Sequence, residues 1–141
     1  MDANSEFRKL YAGRLWSIMS WDQLTAFWNR IAPEGWYLYA VGEEVPAQAA
    51  APAQTTEFVR RIDSLLREDH RHDYCSIVYA DDIEKPSFVK IYDPNNLGVS
   101  CGFSTNPPLP GWIMSRVPPE DLQPGRAAPE GRRRWWRAIF G

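Results

Sequence analysis

The stretch GWYLYAVG, residues 35–42, constrains the architecture of this chain more than any other. Its aromatic and β-branched content and its bounding glycines predict a strand. Side chains alternate along a strand, which puts Trp36, Leu38 and Ala40 on one face and Tyr37, Tyr39 and Val41 on the other. Both faces are apolar. Such a strand is expected at the centre of a sheet, covered above and below.

Elements able to cover it flank it in the sequence. In SWDQLTAFWNRIAPEG, Ser20 and Gln23 form a capping box, and Trp21, Leu24, Phe27, Trp28 and Ile31 make one apolar stripe before Pro33 and Gly35 stop the helix. A second helix is expected over EFVRRIDSLLREDH, capped by Thr55 or Thr56, with Phe58, Val59, Ile62, Leu65 and Leu66 facing inward. Nearer the N-terminus, Asn4 or Ser5 caps an amphipathic helix running through Phe7, Leu10, Tyr11, Leu15, Ile18 and Met19, weakened by Gly13. Further strands are expected at 73–80, 87–93 and 98–104, the last two joined by PNNL. The order helix, helix, strand, helix and three strands predicts an α+β fold. It would be an antiparallel sheet of four to five strands with two to three helices packed mainly on one face, plus a proline-rich C-terminal extension.

The 141 residues suit a single domain, expected over residues 1–117. Within it, residues 43–54 are rich in Ala, Pro and Gln and read as a mobile loop. Residues 112–117 read as an extended segment lying along the domain, because the prolines around them cannot enter a central strand. Residues 118–131 then form a Pro/Gly-rich linker to an amphipathic Arg/Trp tail at 132–141. No apolar run is long enough to span a membrane, and MDANSEFRKLYAGRLW lacks the blocks of a secretory signal, so a cytoplasmic location is expected. Cys75 and Cys101, each sharing a strand face with apolar residues, are expected to be buried and reduced.

The candidate chemistry is sparse. His70, His72, Cys75 and Cys101 are the right residue types for zinc, but their spacing follows no zinc motif, and no metal or cofactor is expected. On an alternating strand Cys75 and His72 face opposite ways, which argues against a thiolate and base pair. Asp81, Asp82 and Glu84 in DDIEK read as a solvated turn after a strand. There is no nucleophile elbow, P-loop or dinucleotide-binding glycine pattern.

The tail is the distinctive feature. Residues 126–141 hold five Arg and one Glu, a net charge of +4, against −6 on residues 1–125 and −2 for the whole chain. As a helix, GRRRWWRAIFG gathers Trp135, Trp136, Ile139 and Phe140 within an arc of about 140° and places Arg133, Arg134 and Arg137 opposite, at 100° per residue. Arg132 breaks the pattern. A helix this short orders only against a surface. That surface is expected to be its own domain, a second copy or a partner protein, with weaker contact to an anionic membrane and with nucleic acid disfavoured by the acidic body. The expected function is a non-enzymatic accessory or protein-binding module docking through Arg133, Arg134, Trp135, Trp136, Arg137, Ile139 and Phe140. The alternative is a small enzyme or ligand-binding domain, with a site near the His70, His72 and Cys75 junction or on the aromatic sheet face.

Overall fold

The computed structural model describes residues 5–96, 109–122 and 129–140. The elements are α1 (Glu6–Ala12), β1 (Trp16–Ser17), α2 (Trp21–Asn29), β2 (Tyr37–Ala40), α3 (Pro52–Asp69), β3 (Val78–Ala80), β4 (Phe88–Ile91), a 3-10 turn (Pro94–Asn96), β5 (Trp112–Ser115) and α4 (Glu130–Phe140). The strands form one antiparallel sheet in the order β1-β3-β4-β5-β2. The fold is therefore α+β as expected. No helix among the described residues is long and apolar enough to cross a membrane.

The main core lies between the sheet and α2 and α3. Trp36, Leu38, Val78, Val89, Ile91, Trp112 and Met114 from the sheet side meet Leu24 and Phe27 of α2 and Phe58, Ile62 and Leu66 of α3. A smaller core on the opposite face joins Phe7 of α1 to Tyr39, Phe88 and Ile113. The capping box of α2 forms as its sequence predicts: Ser20 Oγ accepts from the Gln23 amide at 3.0 Å, and Gln23 Oε1 accepts from the Ser20 amide at 3.2 Å. Gly35, at φ +79°, then supplies the left-handed turn that leads into β2.

Several expectations are corrected. The first helix ends at Ala12, and residues expected to continue it form β1, whose successor Ile18 donates its amide to the Val78 carbonyl at 2.9 Å. β2 lies at the sheet edge rather than the centre. Its two apolar faces need layers above and below, which α2, α3 and α1 supply, and that requirement is independent of having a strand on each side. β3 is shorter than expected because Ser76 adopts φ +54° and breaks the extended run before it. β5 is an interior strand between β4 and β2 with all four residues buried. The prolines at 110, 118 and 119 flank it and remove no ladder donor.

α3 begins three residues earlier than Thr55, at Pro52, taking in the end of the 43–54 segment. Proline favours the first helical position, and Gln54 Oε1 accepts from the Ala51 amide at 3.0 Å, so Thr55 is buried inside the helix instead of capping it. The linker also has fixed points. Arg8 Nε donates to Glu120 Oε1 at 3.3 Å, the Leu122 amide donates to the Tyr39 hydroxyl at 3.3 Å, and Glu130 and Gly131 belong to the start of α4. The strand expected at 98–104, with Cys101, lies outside the described residues.

Candidate docking site at the C-terminal helix

The eleven residues of α4 lie against α3 and the end of β5. The residue that broke the amphipathic pattern explains how. Arg132 Nε donates to Asp93 Oδ2 at 2.8 Å, and its Nη2 donates to Asp93 Oδ1 and Asp69 Oδ2, each at 2.9 Å. The Asp93 side chain is only 6% exposed. Asp93 follows β4 and also accepts from the Asn95 amide through Oδ1 at 2.9 Å, while Asp69 closes α3. The hydrogen bonds from Arg132 to Asp93 and then to Asp69 hold its guanidinium above its ordinary pKa, against the opposing effect of burial. The geometry is that of a fork-shaped cation clamped by two carboxylates from different elements.

Beyond the clamp the contacts are aromatic. The Trp135 ring lies 5.4 Å from Trp112 and 6.3 Å from Phe58, and Trp136 meets Phe58 edge-on at 5.9 Å. Trp136 also packs on Phe140 at 4.3 Å, and Ile139 touches the margin of the main core. Arg133 reaches Glu43 at 3.3 Å. No residue of α4 is fully buried. Arg134 and Arg137 are exposed, and among the described residues the sole ion pair of Arg134 is a 4.0 Å contact to Glu130 on the same helix.

An open groove of about 400 Å³ runs between α3 and α4. Arg60, Arg61, Ser64, Leu65, Glu68 and Asp69 line it from α3, and Arg132 and Trp135 from α4. Arg60 and Arg61 share Glu57, whose carboxyl these hydrogen bonds pull down to about 2. The groove thus sets paired charges of both signs beside an aromatic edge.

The other candidate residues take structural positions. His70 is buried and donates Nε2–H to the Cys75 carbonyl at 2.9 Å, which fixes its tautomer. Burial holds its imidazole below the ordinary pKa and pushes the buried Cys75 thiol up, the reverse of a reactive thiolate. His72 is exposed and stacks on Tyr74 at 5.1 Å. Among the described residues no three His, Cys, Asp or Glu side chains are grouped to hold a metal. Asp81 accepts from the Ser87 and Phe88 amides, and Asp82 from those of Glu84 and Lys85, so both cap their own turn, while Glu84 pairs with Arg30 at 3.5 Å.

Of the seven tail residues singled out from the sequence, Arg133, Trp135, Trp136, Ile139 and Phe140 face the body and Arg134 and Arg137 face outward. Arg132, Asp93 and Asp69 were missed as a unit. The signal was Arg132 itself, since a charge on the apolar side of a helix needs a polar partner there. Comparisons with protein-family models, with curated proteins and with solved structures return no match.

Proposed function

We propose that this protein is a non-enzymatic protein-binding module that docks on an acidic surface of a partner through α4 and the groove beside it. The observation that carries the reading is that α4 is anchored at one end by Arg132 without burying any residue completely. An element whose role was to complete the core would be expected to bury its rings as Phe27 and Phe58 are buried. Instead Trp135 is half-buried at the groove and Trp136 half-buried beside Phe58, and Arg134 and Arg137 extend from the outer face. Arginine and tryptophan are the residue types that dominate interface energetics. The cytoplasm is the proposed site of action, a compartment in which a free, buried thiol such as Cys75 stays reduced.

The test compares the full-length chain with the variant Arg134→Glu/Arg137→Glu in affinity capture from the native source. Capture of an acidic protein that weakens with salt and is lost in the variant, at unchanged melting temperature, is the expected result. Equal capture by both chains overturns the reading. Salt-sensitive sedimentation with anionic vesicles, in place of protein capture, would assign α4 to a membrane surface.

A further inference from the structure

The face of the sheet opposite α2 and α3 carries a second cluster that docking through α4 does not use. Strand register places Tyr79 of β3, Lys90 of β4, Ile113 of β5 and Tyr39 of β2 in one cross-strand row. α1 covers the β2 and β5 end of this row through Phe7, which packs on Tyr39, Phe88 and Ile113. At the other end Tyr79 and Tyr92 meet edge to face at 5.7 Å, beside half-buried Lys90. Tyr11, from the last turn of α1, lies over the lysine with its ring centroid 3.8 Å from Nζ.

Lys90 makes no ion pair among the described residues, and its one charged-group contact is the Tyr11 ring. A half-buried ammonium is normally matched by a carboxylate, because an unmatched charge is costly away from water. The cost registers here as a lysine pKa lowered by desolvation. Burial raises the Tyr11 phenol to about 12 and also raises that of Tyr92, and Tyr79 donates its hydroxyl to the Ser76 carbonyl. Aromatic walls around one unmatched cation are complementary to a flat ring bearing a single negative charge.

We infer that the Tyr11, Tyr79, Lys90 and Tyr92 cluster binds a small aromatic carboxylate, with the carboxylate on the Lys90 ammonium and the ring against the tyrosines. Lys90 supplies the charge and the tyrosines select for an aromatic body. This site lies on the opposite face of the sheet from α4, so the two proposals stand or fall separately.

The test uses 4-fluorobenzoate and fluorine NMR on the full-length chain, with 4-fluorobenzoate methyl ester as the uncharged control. The acid should show saturable line broadening, and the ester should bind at least tenfold more weakly. Lys90→Met keeps the apolar stem and should weaken binding of the acid at least tenfold, whereas Lys90→Arg should retain it within a few-fold. Arg60→Glu, in the α3 and α4 groove, should leave it unchanged. Equal binding of acid and ester to the wild-type chain, absence of saturable binding at millimolar probe, or loss in Arg60→Glu instead of Lys90→Met would each overturn the inference.

Discussion

The two terminal helices are attached to opposite faces of the same sheet by different physics. α1 inserts Phe7, 1% exposed, among Tyr39, Phe88 and Ile113, so its attachment is mainly burial of apolar area. α4 buries no residue completely and is held by Arg132 between Asp93 and Asp69, with half-exposed rings alongside. Apolar burial is spread over several side chains, whereas the clamp depends on one guanidinium, so a single substitution can release α4. A sheet can therefore carry one helix as permanent structure and another as a positioned but separable arm.

The largest effect should come from the permanent side. Phe7→Ala removes a fully buried ring and should cost about 3–5 kcal/mol, read as a lower denaturation midpoint at unchanged slope. A loss under about 1 kcal/mol would break the contrast, since α1 would then be no better seated than α4. Arg132→Met should cost less, about 2–3 kcal/mol, most of it from leaving the Asp93 carboxylate without its guanidinium. A neutral result would mean that the aromatic contacts alone seat the helix.

A smaller effect appears in acid. His70 has a folded pKa below its ordinary value of about 6.5, so the stability it contributes as a neutral imidazole is present above that pH and is lost as pH falls through the folded pKa. His70→Gln keeps a donor for the Cys75 carbonyl and should flatten the fall in melting temperature just below pH 6.5. Glu57, pulled down to about 2, is ionised in its pairing with Arg60 and Arg61 until far lower pH, so its loss falls in a separate window between about 4.5 and 2. A His70→Gln curve that matches the wild type would remove the imidazole from this account.

The parts of this molecule legible in the sequence are those where local chemistry and tertiary packing agree. Ser20, Gln23 and the Trp21-to-Trp28 stripe predict α2 because the cap and the buried face are written in adjacent residues. The start of α3 was obscured because the Thr55 and Thr56 hydroxyls resemble caps, while Pro52 and Gln54 perform that role. β5 was obscured because proline on both sides signals a boundary and says nothing of the four residues between. The Arg132 clamp depends on Asp93 and Asp69, 39 and 63 residues away, and only the fold brings them together. The alternation of Arg and Trp in the tail was readable, but its anchoring was not.

Amide exchange in α4, compared between the wild-type chain and Arg132→Met, tests the central claim most directly. With the clamp intact, the amides of residues 134–140 should be protected. In Arg132→Met they should exchange at near-unprotected rates, while the amides of α1 and α3 keep their wild-type protection. Protection of α4 that is unchanged by the substitution, or a wild-type α4 that exchanges freely, would contradict the account of an arm held in place by one arginine.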